Sequence, residues 1–447
     1  MDKRHIFRAY DIRGIYKKDL DEDTMKKIGK ALVTYDDQDV LVAMDMRLSS
    51  KALAQALISG IRETGKTAYF AGLLPLSAAM FHAWQSKLTL AYVTASHLPK
   101  EWNGVKFFHS NGEGFFDDEI ASIRDIFMAE SFIDGKGELV NLKNSEILEN
   151  YRVYLVSKLR AKNRIIVAID CGNGSTGVVA RKLFTDAGFI TEMIYEEPNG
   201  NMPNRDIDPH EDRLELLKEK ARSSMFGIAF DGDGDRLVFV DDLGRKLTTE
   251  QISYIILSEL LQTVEGPIVA NVECTKLIDD IAKKFSREVI KVPVGHTFLV
   301  KYVHEKKASF GVEVSGHCAL PSLLPFDDAM AISLYAAVVL SGKEERLSDL
   351  IDKLPEYPFE RVNFRCADER KFLVVDSLKK KLSKRYVNTN IIDGVRVDLD
   401  NGWALIRASN TEPKIRLSIE ADSEQDLKEI KQTFSQVLKK AISDICV

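Results

Sequence analysis

The densest group of side chains able to do chemistry is the run Asp231-Gly-Asp233-Gly-Asp235-Arg236. The intervening glycines let the backbone turn tightly, so that three carboxylates can converge on one hard cation through oxygen ligands, as Mg²⁺ prefers. Three carboxylates this close would repel one another unless they were neutralised or partly protonated. The run therefore predicts a Mg²⁺ site formed by Asp231, Asp233 and Asp235.

Two other chemistries use similar spacing. A calcium-binding EF-hand loop also takes ligands from positions 1, 3 and 5, but it needs glycine at position 6 and glutamate at position 12. This chain has Arg236 and Asp242 there, and the runs 226–230 and 237–240 on either side predict strands where an EF-hand has helices. A phosphatase in which an aspartate itself is phosphorylated remains an alternative on these six residues alone.

A second candidate group is the stretch Thr94-Ala-Ser-His-Leu-Pro99, with Lys106 a few residues further on. Ser96 comes directly after a strand-like run and has His97 beside it, so it could be a nucleophile on a loop. The nucleophile elbow of α/β-hydrolases needs glycine at positions 94 and 98, which this chain lacks, so acyl transfer is disfavoured. A hydrogen-bonded turn serine is the alternative interpretation of this stretch taken alone.

A third group lies in the run Gly311-Val-Glu-Val-Ser-Gly-His317. On a strand, a period of two would place Glu313, Ser315 and His317 on one face, as a row of donors and acceptors suited to sugar hydroxyls. A solvated strand edge is the alternative.

The fourth group is the run Arg407-Ala-Ser-Asn-Thr-Glu-Pro413. Its residues 409–412 match a helix capping box, but Pro413 and the strand-like run 414–419 argue against a helix here. An arginine together with hydroxyls and free backbone N–H groups predicts a cradle of phosphate size.

The elements that must position these groups are strands followed by helices. The runs 40–45, 165–170 and 267–272 are continuously apolar, which indicates parallel strands covered on both faces, and each precedes a helix-like stretch. This arrangement, repeated at roughly 100 to 125 residues, predicts a repeated α/β domain.

The C-terminal part has a different pattern. Pro355 and Pro358 indicate a linker, and the runs 391–399, 403–407 and 414–419 alternate like half-buried antiparallel strands. The stretch 424–445 then reads as one long amphipathic helix, so a smaller α+β domain is predicted. Earlier in the chain, the proline-containing loop 197–210 is long enough to suggest a role.

Composition narrows the classes of function. The 447 residues suggest about three domains, and 62 basic against 68 acidic side chains give no sign of a broad basic surface for nucleic acid. The longest apolar segment, 329–340, is too short to cross a bilayer, which needs roughly 20 residues. The start of the chain has no apolar stretch typical of a signal peptide. Five scattered cysteines without a C-x-x-C pair indicate free thiols in a reducing compartment, so the cytoplasm is expected.

Together these motifs resemble the α-D-phosphohexomutase superfamily, and within it the phosphomannomutase/phosphoglucomutase group. The likeness extends from the run Phe7-Arg-Ala-Tyr-Asp-Ile-Arg-Gly14 to the loop at Arg407, with four signature loops in the expected order. It implies an α/β protein with three similar α/β/α domains with mixed sheets and a C-terminal α+β domain with a four-stranded antiparallel sheet. The corresponding segments are 1–146 with the phosphoserine loop, 147–245 with the metal loop, 246–355 with the sugar-binding loop and 356–447 with the phosphate loop.

The resemblance also implies roles for single residues. Ser96 would be the phosphoserine, and a serine-phosphate oxygen would join the three aspartates in holding Mg²⁺. His317 and Lys106 would be the general base and acid, with Arg13 and His97 as further catalytic residues. The implied substrate-binding residues are Tyr10, Arg236, Glu313, Ser315, Arg407, Ser409, Asn410 and Thr411.

The implied activity is the interconversion of hexose 1-phosphate and hexose 6-phosphate, of mannose, glucose or both, through a hexose 1,6-bisphosphate that also serves as activator. The alternatives are a phosphoglucosamine mutase, a phosphatase or bisphosphate synthase using the same phosphoenzyme, and a catalytically silent sugar-phosphate-binding protein. Sugar phosphates are the expected partners, without nucleic acid, membrane or an obligate protein partner. Two residues depart from the group: Leu98 stands where many relatives have asparagine, and Glu273 where lysine is frequent.

Overall fold

The computed structural model of the chain describes residues 3–409 and 413–446. Four sheets follow one another along the chain, and helices pack against each of them. The predicted class, three α/β/α domains with mixed sheets followed by an α+β domain, is confirmed.

The first sheet has six strands in the order β1-β5-β4-β2-β3-β6. Strands β2, β3, β4 and β6 pair in parallel, whereas β5 runs antiparallel to both β1 and β4. In chain order the elements are β1 Asp11–Ile15, α1 Glu22–Asp36, β2 Val40–Met44, α2 Ser50–Arg62, β3 Ala68–Leu73, α3 Leu76–Ser86, β4 Thr89–Val93, β5 Trp102–Phe108, α4 Asp117–Ala129 and β6 Leu139–Asn141.

The second sheet has four strands in the order β10-β9-β7-β8, and only the pair β9–β10 is antiparallel. Its elements are α5 Asn144–Lys158, β7 Ile166–Asp170, α6 Ala180–Asp186, β8 Ile190–Ile194, α7 Glu215–Ala221, β9 Phe226–Phe230 and β10 Leu237–Asp241. The predicted domain start at residue 147 therefore lies in the first turn of α5.

The third sheet repeats this plan in the order β12-β11-β13-β14, with β13–β14 as its antiparallel pair. Its elements are α8 Thr249–Leu260, β11 Ile268–Asn271, α9 Lys276–Lys284, β12 Val289–Val292, α10 His296–Glu305, β13 Phe310–Val312, β14 Cys318–Ala319, α11 Ala329–Ser341 and α12 Leu347–Ile351.

The fourth sheet is fully antiparallel, in the order β15-β19-β18-β17-β16. The predicted four strands are confirmed, and a two-residue strand, β16, extends the sheet at one edge. The elements are β15 Phe359–Arg365, α13 Asp368–Arg385, β16 Thr389–Asn390, β17 Val395–Leu399, β18 Gly402–Ala408, β19 Lys414–Ala421 and α14 Glu424–Cys446.

The three continuously apolar runs form the equivalent strands β2, β7 and β11, each with a parallel neighbour on both sides. Such strands are covered on both faces, which is why their sequences do not alternate. One apolar core runs through the first three domains, whereas the fourth domain has a core of its own. The carboxyl ends of these strands therefore lie directly on the buried core of the first three domains.

The prediction that Glu313, Ser315 and His317 lie on one face of a strand is wrong. Strand β13 ends at Val312 and β14 begins at Cys318, and the residues between them form a tight turn. Gly316 has φ +94, in the left-handed region that favours glycine. The polar alternation in this segment arises from a turn, which brings the side chains together in another way.

Helix α11 contains the longest apolar segment of the chain and is buried along most of its length. Across the ranges that the structure describes, no helix is both long and apolar enough to span a bilayer.

Candidate active site

The three aspartates lie in the turn that joins β9 to β10. All three side chains are buried, and one carboxylate oxygen from each lies within 4.8 Å of those of the other two. Asp231 Oδ1 accepts hydrogen bonds from the backbone N–H groups of Gly234 (3.0 Å) and Arg236 (3.2 Å), which fixes the turn. Strands on both sides exclude an EF-hand here.

The charges of this group are incompletely matched by protein cations. Lys106 donates to Asp233 Oδ2 (3.0 Å) and Asp235 Oδ2 (2.6 Å), while the Oδ1 atoms of both aspartates are buried without a hydrogen-bond partner among the described residues. Burial, together with the two neighbouring carboxylates, raises the pKa of Asp231 well above its usual range. Buried oxygens without donors, held around one point, fit a hard divalent cation.

Ser96 comes from the first domain, three residues after the end of β4, and reaches this group. Its hydroxyl donates to Asp231 Oδ2 at 2.7 Å, and its Oγ lies 3.3 Å from His97 Nδ1. The backbone of Ser96 has φ +49, an uncommon conformation for a residue with a side chain. The predicted nucleophile and the predicted metal ligands thus meet across a boundary between domains.

Lys106 and Arg13 lie on the neighbouring strands β5 and β1, where Asp11 pairs with Lys106 and Arg13 with Gly104. A side chain at Gly104 would lie 2.0 Å from the Ile12 carbonyl oxygen, so glycine is required for these strands to approach. Burial would lower the pKa of Lys106, but the carboxylates beside it outweigh this effect and raise it, so the lysine is charged.

His97 lies beside Ser96 under the influence of two arginines. Burial, followed by the charges of Arg236 and Arg13, lowers the pKa of His97 to about 2. The imidazole is therefore neutral at physiological pH. Arg13 itself pairs with Asp11, with 2.6 Å between Nε and Oδ2.

His317 forms a chain of contacts with Arg236 and Asp327. Arg236 Nε donates to His317 Nε2 at 3.2 Å, so the imidazole carries its hydrogen on Nδ1, which lies 2.8 Å from Asp327 Oδ2. Burial lowers the pKa of His317 to about 4. It is therefore neutral at physiological pH.

Glu313 and Ser315 form the rest of the turn. Ser315 Oγ donates to Glu313 Oε1 at 2.5 Å, and the backbone N–H of Gly295 donates to Glu313 Oε2 at 2.7 Å. Tyr10 lies beside Gly295 and makes an edge-to-face contact with Phe298, with the two ring centroids 5.5 Å apart. Burial raises the pKa of Tyr10, so its hydroxyl stays protonated and can donate.

Arg407 lies on β18 of the fourth domain and is buried. Its Nη1 donates to Glu273 Oε1 of the third domain at 3.1 Å, and its Nη2 lies 2.9 Å from Asp393 Oδ2. Ser409 is also buried, whereas the predicted residues Asn410 and Thr411 lie outside the described part of the chain.

Asp327 and His296 complete the site but were not predicted from the sequence. His296 begins α10 and stacks on His317, with the ring centroids 5.0 Å apart, and Asp327 orients His317 from the end of the third sheet. The adjacent acidic pair 327–328 before an apolar helix was the available signal for Asp327. A single histidine after glycine carries no comparable signal.

The chain has four consecutive domains. Where the first two meet, a serine, a lysine and a neutral histidine lie beside three convergent carboxylates. This arrangement defines a class of protein suited to phosphoryl transfer. Sequence models of the phosphoglucomutase/phosphomannomutase family match the chain in all four domains: α/β/α domain I over residues 4–134, domain II over 146–244, domain III over 248–357 and the C-terminal domain over 362–437. The chain belongs to the phosphoglucomutase/phosphomannomutase family, in the α-D-phosphohexomutase superfamily.

Individual relatives resemble the whole chain. A phosphomannomutase/phosphoglucomutase of Pseudomonas syringae is 30% identical, covering 98% of this chain and 96% of that protein. A probable phosphoglucosamine mutase of Methanothermobacter thermautotrophicus is also 30% identical, covering 98% of this chain and 99% of that protein. The crystal structure of a phosphoglucomutase/phosphomannomutase family protein from Burkholderia thailandensis has a TM-score of 0.90 at 26% identity, covering 99% of this chain and 98% of that one. The protein is accordingly an enzyme, a mutase that transfers a phosphoryl group intramolecularly.

Proposed function

We propose that the enzyme interconverts hexose 1-phosphate and hexose 6-phosphate of mannose or glucose through a phosphoserine at Ser96 and a hexose 1,6-bisphosphate. The observation that carries this proposal is the 2.7 Å hydrogen bond from Ser96 Oγ to Asp231, in a site with buried carboxylate oxygens that have no donors among the described residues. A serine held this way is positioned to carry a phosphoryl group that shares a cation with the aspartates.

In the proposed step, a substrate hydroxyl oxygen attacks phosphorus on Ser96. The new O–P bond forms as the Oγ–P bond breaks, His317 accepts the hydroxyl proton, and Lys106 returns a proton to serine Oγ. Bound Mg²⁺ would supply a Lewis acid that neutralises charge on the transferring group, held by Asp231, Asp233 and Asp235. Lys106, Arg13 and Arg236 provide further positive charge, because a phosphoserine carries roughly −1.5 to −2 at neutral pH.

The non-reacting phosphate is proposed to bind Arg407 and the adjacent Ser409, with Asn410 and Thr411 completing the predicted loop. The bisphosphate must turn over before its other phosphate returns to Ser96, so one anchoring site must accept two orientations of the sugar. Glu313 and Ser315 would contact the hydroxyls. Their polar atoms lie on one turn and can form hydrogen bonds with hydroxyls. Such contacts would not require a pocket shaped to a single sugar.

The proposed mechanism is tested with Ser96→Ala. Formation of glucose 6-phosphate from glucose 1-phosphate is followed with Mg²⁺ and glucose 1,6-bisphosphate as activator. Removing a covalent nucleophile should lower kcat by at least roughly 10³-fold. Ser157→Ala, which alters an exposed serine, is the matched control. Retained activity in Ser96→Ala would exclude the phosphoserine.

A phosphatase or bisphosphate synthase would use the same phosphoenzyme but pass the group to water or to another acceptor. Measuring inorganic phosphate alongside isomer formation distinguishes these functions, because a mutase should release very little phosphate.

A phosphoglucosamine mutase is the second candidate, favoured by the 30% identity of a relative with that name. Comparing kcat/KM for the 1-phosphates of mannose, glucose and glucosamine separates the two. Repeating the comparison with Glu273→Lys shows whether the carboxylate next to Arg407 sets the preference.

The proposed partners are small sugar phosphates, without nucleic acid, membrane or an obligate protein partner, and the proposed compartment is the cytoplasm. Four cysteines support a reducing compartment, because they are buried and form no disulfide among the described residues.

A further inference from the structure

Two buried ion pairs lie directly behind the loops that carry Ser96 and the three aspartates. The first is Asp45–Arg47, whose side chains are both 0% exposed, and the second is Asp170–Arg205, with exposed fractions of 2% and 4%. The two aspartates occupy equivalent places, one directly after β2 and the other at the end of β7. Neither pair belongs to the site described above.

Arg47 uses all five of its N–H donors. Its Nε donates to Asp45 Oδ2 at 3.0 Å, and its four remaining donors reach the backbone carbonyl oxygens of the serine loop and the segment that follows it. These acceptors are Ser96 (2.7 Å), Leu98 (2.6 Å), Pro99 (2.8 Å) and Trp102 (2.9 Å). Only a guanidinium offers five donors in a fixed planar arrangement.

Asp45 fixes the other side of the serine. Thr94 Oγ1 lies 2.9 Å from Asp45 Oδ2 and accepts the backbone N–H of Ser96 at 2.8 Å. The ion pair therefore reaches both the N–H and the carbonyl group of Ser96. A residue held at φ +49 needs such support, because this conformation persists only where the surroundings fix it.

Arg205 makes the corresponding contacts in the second domain, from the long loop that follows β8. Its Nε donates to both oxygens of Asp170 (3.1 and 3.0 Å), and one Nη donates at 2.6 Å to the carbonyl oxygen of Phe230, the residue immediately before Asp231. This contact gives the proline-containing loop 197–210 a physical role. In the third domain the equivalent position is Asn271, whose side-chain oxygen instead lies near the backbone N–H of Glu273.

We propose that Arg47 is a positioning residue that holds Ser96 in its geometry for phosphoryl transfer, and that Arg205 is the corresponding positioning residue for the metal loop. The inference rests on the proposed function. A misplacement of the reacting atom by about 1 Å is enough to slow transfer by about 10²-fold. The two arginines should therefore affect different properties of the same enzyme.

The test compares Arg47→Lys with Arg205→Lys in the full chain, using two measurements. The first is the rate at which Ser96 takes up phosphate from glucose 1,6-bisphosphate at saturating Mg²⁺, followed by mass spectrometry. The second is Mg²⁺ affinity by calorimetry on the unphosphorylated protein. Arg47→Lys should slow phosphorylation by about 10²-fold with Mg²⁺ affinity little changed. Arg205→Lys should weaken Mg²⁺ binding by about 10- to 100-fold and change phosphorylation less.

The matched control is Arg181→Lys, which alters an exposed arginine paired with Glu196 and should change neither measurement. Equal changes in both measurements for both variants would mean general destabilisation and would overturn the inference. An unchanged phosphorylation rate in Arg47→Lys would also overturn it. Failure of the wild-type enzyme to take up phosphate on Ser96 would instead refute the proposed function.

Chemical rescue separates positioning from a general effect on folding. Guanidinium ion, below denaturing concentrations, should restore much of the lost phosphorylation rate in Arg47→Ala, whereas ethylammonium, which lacks the planar donor arrangement, should not. If the Arg47 variants do not fold, Asp45→Asn takes their place, because it keeps the side-chain shape but weakens the acceptor for Arg47 Nε. A folded Asp45→Asn protein with the wild-type phosphorylation rate would contradict the inference.

Discussion

The two ends of the candidate site differ in how their charged side chains are paired. At the transfer end, formed by Ser96, Lys106, Arg236, His317 and the three aspartates, carboxylate oxygens outnumber the donors, and two of them have none among the described residues. At the anchoring end, formed by Arg407, Glu273, Asp393 and Ser409, the guanidinium already contacts two carboxylates, at 3.1 and 2.9 Å.

This difference indicates different requirements for binding. The transfer end has buried carboxylates close to one another and two carboxylate oxygens without donors among the described residues, so a divalent cation would relieve repulsion there. At the anchoring end Glu273 and Asp393 contact the two Nη atoms of Arg407, whereas its Nε is buried without a partner among the described residues. An incoming phosphate would therefore find one open donor and would compete with the two carboxylates for the others. We therefore expect substitutions at the transfer end to abolish turnover, and substitutions at the anchoring end to adjust affinity.

Among the substitutions that compare the two ends, Asp233→Asn should have the largest effect. The substitution keeps the side-chain shape but removes one of three charges that would hold the cation, so Mg²⁺ affinity should fall and kcat should drop by about 10²–10³-fold. Calorimetry and the coupled mutase assay measure the two quantities, with the exposed Asp134→Asn as control. Wild-type Mg²⁺ affinity in Asp233→Asn would mean that the transfer end is not the metal site.

The transfer end could be predicted from the sequence in part. Three aspartates within five residues carry an unusual local density of charge, and the apolar runs before and after them identify strands, so both the carboxylate group and the turn that presents it are predictable. The alternating polarity of residues 313–317 predicts a strand, and the structure has a turn there. The alternation does not distinguish a strand from a turn, and the positive φ of Gly316 decides between the two.

The partners that hold the site in place were not predictable from local pattern. Arg47 and Arg205 donate to backbone carbonyl oxygens. Because every residue has such an oxygen, the sequence of the accepting loop does not indicate that an arginine binds there. At the anchoring end, Glu273 meets Arg407 across 134 positions of the chain, and only the packing of the third domain against the fourth brings them together. Such contacts follow from tertiary structure rather than from spacing.

Arg407→Gln tests the anchoring end directly. A hydrogen-bonded guanidinium–phosphate contact is worth about 1.5–3 kcal/mol, so its loss should raise KM for hexose 1-phosphate by about 10- to 100-fold, with a smaller change in kcat. Steady-state kinetics measure both constants. If Arg407→Gln instead lowers kcat as much as Asp233→Asn does and leaves KM unchanged, the proposed difference between affinity at one end and turnover at the other is wrong.

Glu273→Gln should produce a smaller effect of opposite sign. Removing the charge of one of the two carboxylates that compete for Arg407 should strengthen inhibition by inorganic phosphate, with an inhibition constant lower by about 3- to 5-fold. Glutamine can still accept a hydrogen bond from the guanidinium, so the change is the difference of about 1 kcal/mol between a charged and a neutral hydrogen bond. The control is Glu196→Gln, which alters an exposed pair with Arg181. If the inhibition constant is unchanged or rises, Glu273 does not compete with phosphate.

The smallest effect concerns the pH dependence of stability, which we expect to originate at the transfer end. Burial lowers the pKa of His296 and His317 to about 4, and that of His97 to about 2. Between about pH 6.5 and pH 4 these histidines bind protons in the unfolded chain but stay neutral in the folded protein. Their contribution therefore makes the free energy of unfolding fall as the pH falls. Burial raises the pKa of Asp327 to about 6 and that of Asp231 well above its usual range, and these two carboxyls act in the opposite direction, so the contribution of a single imidazole has to be measured.

His317→Gln should therefore make the dependence of unfolding free energy on pH shallower by about one proton in this window. Urea unfolding at a series of pH values measures the slope, and His5→Gln, at an exposed position, is the control. An identical slope in His317→Gln and wild type would show that the folded imidazole takes up its proton as readily as the unfolded one. Burial would then not lower the pKa of His317, and the fall in stability toward acid pH would have to originate at other groups.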